Sequence, residues 1–181
     1  MQKRNLKKIS HSCIILWLNY IKKKGITMFK EMRRKDRELE ITEAIEILKN
    51  CDYGIVSTVG ENGYPYGVPV SYVYINNSIY FHCAVDGHKL DNLMHNNKVS
   101  FCVVGQTCIL PDKFSTNYES VIIFGIANEV FDNEKNTILL EILNKYSPDY
   151  IEKGKAYISN SSAKTKVIKI SIEHISGKAR R

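Results

Sequence analysis

Several things are scarce in this chain, and each scarcity removes a class of protein. It holds five cysteines, an odd number, and no Cys-x-x-Cys pair, so neither a disulfide framework nor a zinc site is indicated. Cys51, Cys83 and Cys102 sit in apolar runs and are expected to act as small buried hydrophobes, a usage that fits a reducing cytoplasm. No apolar run approaches the roughly 20 residues of a membrane span, and no membrane partner is expected. Ser or Cys in a Gly-x-Ser-x-Gly elbow, His-Glu-x-x-His and paired-carboxylate signatures are all missing. The formal charge of +7 gives little support to nucleic-acid binding, because the excess is local. Residues 1–27 carry seven Lys or Arg and no acid; the remainder balances at nineteen of each sign.

That leader reads as separate from the rest. Its apolar stretch, HSCIILWLNYI at 11–21, looks like a signal-peptide core, yet Lys-Lys-Lys-Gly follows instead of a small-residue cleavage site. Lys-Lys-Gly-Ile-Thr before Met28 is what an A-rich then G-rich ribosome-binding stretch yields when read as codons. The expectation is a start at Met28, with 1–27 a non-native or disordered basic leader and 28–181 one domain. A membrane-surface anchor, or a nucleic-acid contact made through the leader, is the competing reading of 1–27.

What the chain has in quantity is tyrosine, eleven against one tryptophan, set in alternating apolar runs that suit strands. Strands are predicted over 53–59, 64–75, 79–84, 99–106, 120–131 and 165–175. Asn-Gly at 62–63 and Asn-Asn-Ser at 76–78 supply the first turns, and Gly125 suggests a bulge. Helices are predicted over 42–50 with Thr42 as cap, 88–96, and 132–146. The charge run at 32–37 is expected to be a solvated lead-in, 108–117 a loop, 151–162 is ambiguous, and a basic tail is expected from Gly177. Turns of about three residues between the first strands disfavour a parallel doubly wound sheet, whose pairs need a crossover of a dozen or more. The fold class is therefore α+β, a six-stranded antiparallel barrel with short flanking helices.

The most informative stretch is GYPYGVPVSYVYINNSIYFHCAVDGHKLDNL at 63–93. It delivers two extended runs to a helix start bearing His88 and Lys89. A helix N-terminus offers free N–H groups and partial positive charge, a seat for phosphate, and the two side chains add donors to the same anion. Asp86 and Asp91 flank the step and are expected to set its turn and cap geometry. Pro65 and Pro69 argue for an edge strand or one whose backbone faces a ligand.

From Met28 onward the chain resembles the 5-nitroimidazole-resistance proteins within the pyridoxamine 5′-phosphate oxidase-like flavoproteins. The matching residues are MFKEMRRKDRE at 28–38, YPYGVPVSYVY at 64–74, IYFHCAVDGHKLDNL at 79–93, VSFCVV at 99–104, Tyr118 with SVIIFG at 120–125, and IEHISGK at 172–178. The resemblance implies a split β-barrel that pairs as a homodimer and binds flavin mononucleotide (FMN) at the interface. It assigns the FMN phosphate to His88 and Lys89, and the ribityl chain and ring to Val68, Pro69, Val70 and Ser71. His82 and Cys83 become a strand-end pair flanking the cofactor. Tyr118 and Ser120 approach from the second subunit, and Ser57 and Thr58 add hydroxyls. His82 is read either as a substrate-facing catalytic group or as a satisfied core histidine, and Tyr118 and Ser120 either as site residues or as dimer contacts.

The implied activity is an FMN-dependent reductase. It would take electrons from a donor such as a reduced nicotinamide and pass them to a small planar acceptor, with nitroimidazoles as candidates; the cofactor carries the chemistry and no metal is expected. Two alternatives stand. One is a non-catalytic flavin- or haem-binding protein with His82 as axial ligand. The other, a pyridoxamine 5′-phosphate oxidase, is disfavoured because the chain ends IEHISGKARR, without that enzyme's Arg-rich, Trp-bearing close.

Overall fold

A computed structural model describes residues 28–181, so the expectations for the leader, Cys13 and the Met28 start lie outside the described residues. Residues 28–33 form no helix or strand; residues 34–181 make the compact unit considered below. Its elements are β1 (Glu38–Leu39), α1 (Ile41–Asn50), β2 (Tyr53–Val59), β3 (Pro65–Ser71), β4 (Val73–Ile75), β5 (Ser78–Ala84), α2 (His88–His95), β6 (Lys98–Leu110), β7 (Ser115–Val130), α3 (Asp132–Tyr146), α4 (Ile151–Ser161) and β8 (Thr165–Arg180).

One antiparallel sheet runs β3-β2-β6-β7-β8-β5-β4, with β1 added to β8. Its two end strands, β3 and β4, are one stretch of chain interrupted only at Tyr72, so the sheet curls until its ends meet and forms the barrel expected of this fold class. The expected strand over 64–75 is thus divided between two neighbours. β3 pairs with β2 (Tyr53↔Ser71 to Val59↔Pro65) and β4 pairs with β5 (Val73↔Tyr80 to Ile75↔Ser78). This division, with the short β1, raises the strand count from six to eight among the described residues.

Tyr72 is the seam. Its side chain is fully buried, and its hydroxyl donates to the Leu48 carbonyl of α1 at 2.6 Å. Its N–H donates to the Tyr146 hydroxyl at 2.8 Å, and its carbonyl lies 2.8 Å from that hydroxyl and 3.1 Å from Lys145 Nζ. Lys145 also reaches the Cys51 carbonyl at 2.6 Å and lies over the Tyr72 ring at 4.4 Å. Corner backbone that leaves its ladder must find partners, and the C-terminus of α3 supplies them. Burial pushes the Tyr72 and Tyr146 phenols up and the Lys145 ammonium down.

The barrel interior is filled by residues of alternate parity, Val56, Phe81, Phe101, Val103, Val121, Ile123 and Ile170, all essentially solvent-free. A second cluster outside the sheet joins Tyr80 and Val167 to Ile138, Leu139 and Ile142 of α3. Gly125 marks the expected bulge: the β7–β8 register shifts there, and a Cβ would lie 2.3 Å from the Ser171 carbonyl oxygen. Asn76 and Asn77, both left-handed, form the two-residue β4–β5 turn.

Several expectations are corrected. The loop over 108–117 is strand on both sides of a tight turn at Pro111–Lys113, because β6 and β7 keep pairing out to Leu110↔Ser115. The basic tail after Gly177 continues β8 to Arg180, since β7 offers Ser120↔Lys178 and Tyr118↔Arg180. The ambiguous 151–162 is helix. Thr42 does not cap α1, which begins at Ile41 after Glu40 without a side-chain cap.

Candidate functional site

Beyond Tyr80, β5 has a ladder partner on one side only, β8; β3 likewise pairs only with β2. The facing edges of Phe81–Ala84 and Pro65–Ser71 therefore run close with no ladder between them among the described pairings, and this is the split in the barrel. Pro65 and Pro69 belong to a strand with one unpaired edge, where a missing donor costs nothing.

α2 begins at the end of β5, at the mouth of the split. Gly87 precedes it with φ of +129°, a conformation that side-chain-bearing residues rarely adopt. Leu90 and Asp91 donate to the Gly87 carbonyl at 2.8 and 3.2 Å, which leaves the amides of His88 and Lys89 leading the helix. Asp86 and Asp91 stand exposed beside this start; neither caps it, contrary to expectation. The start is pinned from within: Asn92 Nδ2 donates to Thr58 Oγ1 at 3.0 Å, both residues being buried. A Cβ on Gly60 would lie 2.2 Å from Asn92 Oδ1, so the β2–β3 loop packs directly on the helix.

The predicted residues divide by strand parity. His88 lies against Tyr66 of β3, ring centroids 4.1 Å apart and planes tilted by 31°, and the Lys89 cation acts on both His82 and Cys83. Pro69, Ser71 and His82 face outward and are exposed; Val68, Val70 and Cys83 pack against the barrel core. Ser57 faces out, with its hydroxyl 3.6 Å from where Gly67 would carry a Cβ. Thr58 faces in, its hydroxyl held between Asn92 and the Tyr66 carbonyl. Tyr118 and Ser120 lie on β7, separated from β3 by β2 and β6, so one chain alone does not bring them to the split. The Tyr118 hydroxyl accepts from Arg37 at 3.4 Å, and Arg37 and Lys178 hold the phenol below its ordinary pKa.

Burial, assisted by the Lys89 cation, pulls the His82 imidazole down and favours its neutral form although the ring touches solvent. Burial raises the Cys83 thiol, with Lys89 opposing. Cys83 is therefore a weak nucleophile. No cluster of three metal-ligating side chains occurs among the described residues, and no helix among them is long and apolar enough to cross a membrane.

Sequence reading overlooked the outer face beside β3. The row Pro69–Ile55–Cys102–Ile122 crosses four strands, and the next is Gly67–Ser57–Ser100–Phe124–His174. Ile55, Ile122 and Phe124 remain 37–42% exposed, a continuous apolar surface without a helix over it. Strict alternation does not reveal such a face, because both parities are apolar, as on a strand buried on two sides.

The model of the pyridoxamine 5′-phosphate oxidase family matches residues 40–179. The chain belongs to that family. Solved structures of similar fold include a candidate 5-nitroimidazole antibiotic resistance protein from Bacteroides thetaiotaomicron. It is 24% identical with a TM-score of 0.68, over 78% of this chain and 86% of that one. A FAD-binding protein from Mesorhizobium loti is 22% identical with a TM-score of 0.55, over 80% and 98%. A FAD- and haem-binding protein from Mycobacterium smegmatis is 17% identical with a TM-score of 0.66, over 80% and 74%. No curated protein matches the chain. Within this family frame the chain presents a curled antiparallel sheet, four α-helices among the described residues, and a split whose mouth is a basic helix start.

Proposed function

We propose that this chain is an FMN-dependent oxidoreductase that works as a homodimer in the cytoplasm. The observation carrying this reading is the Gly87 turn, which sets His88 and Lys89 on the leading amides of α2 at the open edge of β3. Leading amides, a lysine and an imidazole converging at one helix start fit a phosphate monoester. The fit extends along β3. Gly67, Pro69 and Ser71 present backbone and small side chains outward, leaving room for a flat ring beside the Ser57 hydroxyl.

When bound, the flavin supplies the redox chemistry, accepting electrons from a donor such as a reduced nicotinamide and giving them to a small planar acceptor. The protein's own residues bind and orient. His88 and Lys89 hold the phosphate, Pro69 and Ser71 line the ring, and the apolar face of Ile55, Ile122 and Phe124 is covered by a second copy. That copy brings its Tyr118 and Ser120 to the site. His82 serves at the strand end as a neutral imidazole that can donate or accept a hydrogen bond from the acceptor. Nitro groups of 5-nitroimidazoles are the acceptors of choice, following the likeness to the Bacteroides protein. The four free cysteines among the described residues accord with a reducing compartment.

The test is the visible spectrum of the purified protein, followed by addition of FMN. Flavin bands near one FMN per chain, with Lys89→Ala binding about tenfold or more weakly for the loss of a charge-assisted hydrogen bond, support the site. A colourless protein that ignores added FMN overturns it. A reduced flavoprotein that a nitroimidazole fails to reoxidise removes that acceptor alone. One observation favours a second reading, haem binding: His82 presents a neutral imidazole to a wide cleft. A Soret shift on haem titration, lost in His82→Ala, would select it.

A further inference from the structure

A second concavity opens on the outer side of β5. It has a volume of about 660 Å³ and lies between the strand end, with Ser71 and His82, and the helices α3 and α4. That volume is in the range of small-molecule sites. Leu139 and Ile142 of α3 form its floor, and Tyr146, Tyr157 and Ile158 its sides.

Three observations concern its occupant. First, α4 is eleven residues long and buries none of them, and its Tyr157 is 71% exposed. The helix is seated by Gly154, where a Cβ would fall 2.2 Å from Leu143 Cδ1, and by Ile158, which packs on the cluster around α3, while Tyr157 and Lys153 are left uncovered on the cleft. A helix held at two points with an exposed tyrosine beside an apolar cleft leaves surface for a ligand to pack against. Second, the lining includes Lys153 and His82 but no Asp or Glu. The nearby Glu152 is turned to Lys155 at 2.8 Å. Third, the Tyr146 hydroxyl is consumed at the barrel seam, so that residue offers the cleft its ring.

We infer that this cleft is a binding site for a flat aromatic anion, of the one- or two-ring aromatic carboxylate class. The rings pack between Leu139, Ile142 and Tyr157, and Lys153 meets the charge. Unpaired carboxylates at the rim would repel such a ligand; none lines it. The inference does not depend on bound flavin, although Ser71 and His82 place the cleft beside the strand assigned to the cofactor.

The test uses the full chain without added flavin. The probe is anilinonaphthalene sulfonate, read by fluorescence and displaced by naphthoate. Saturation near one probe per chain is expected. Lys153→Glu should weaken binding about fivefold, as expected of a charge contact at a surface, and Tyr157→Ala by a similar factor for its ring. Ile109→Ser, an exposed apolar residue of the β6–β7 hairpin, should leave the affinity unchanged. Both cleft residues are exposed, and a matched thermal melt with Lys153→Met as a milder variant keeps the comparison on binding. Probe affinity that follows Ile109→Ser instead of the cleft variants overturns the inference. So does displacement by naphthylmethylammonium as readily as by naphthoate, or a haem titration that fills the cleft with His82 as ligand. FMN binding is read separately by absorbance, so the cleft and the cofactor site can fail independently.

Discussion

At Tyr72 the two ends of the sheet are stitched by side chains, whereas a few residues away β3 and β5 run side by side with no ladder between them. The stitched end has a fully buried tyrosine, the Leu48 carbonyl, the Tyr146 hydroxyl and the Lys145 ammonium on one corner of backbone. The open end has outward-facing Pro69, Ser71 and His82, and the basic start of α2. The same strand serves both because it changes partner at Tyr72. Satisfying the backbone at the corner lets the upstream edge stay unpaired beside a helix start, the place proposed for the cofactor.

The comparison can be broken first from inside. Phe101→Ala empties the shared core beneath both ends and should cost about 3–5 kcal/mol, read as a lower denaturation midpoint. Tyr146→Phe removes the hydroxyl that serves Tyr72 and should cost about 1–3 kcal/mol. If the split is a site and not a weak seam, FMN titration of that variant under native conditions should be nearly unchanged. Gly87→Val acts at the opposite end. Forcing φ of +129° on a branched residue costs about 1–3 kcal/mol, and here flavin affinity should fall while the core spectrum is retained.

The smallest effect sharpens the electrostatics of the open end. The folded-state pKa of His82 is depressed, so the unfolded chain takes up this proton more readily. The stability contributed by the neutral imidazole is complete above the unfolded value of about 6.5. It declines as pH falls from there toward the folded value, and it should not change further below that. His82→Gln should flatten this part of the profile, measured as the denaturation midpoint at pH 7.5 and 5.5. A slope that persists assigns the dependence to other groups.

Much of the fold could be read from residues 28–181, because the alternation is strong and the turn chemistry unambiguous. Strand β2 and helix α3 fall where the pattern puts them, and Gly125 bulges as its missing side chain suggests. Errors gathered where local preference yields to pairing. The 108–117 segment is rich in turn formers, yet β6 and β7 hold it extended. Thr42 and Asp86 are good caps that the backbone passes by. At the site, the basic pair at 88–89 was legible from helix-terminus physics alone. The parting of Val68, Val70 and Cys83 from Pro69, Ser71 and His82 was not, since parity becomes direction only once a strand has a core on one side.

The sequence by itself determined most of the elements, their antiparallel order and the placing of His88 and Lys89 on a helix start, because these depend on periodicity and on turns of a few residues. Only the tertiary structure decided that one strand would change partners at Tyr72 and leave an edge unpaired. Which face of that strand meets solvent, and which helix covers the far side of His82, were settled there too. Closure of a sheet depends on contacts between residues distant in the chain, such as Tyr72 with Tyr146 and Leu48, and no local pattern encodes them.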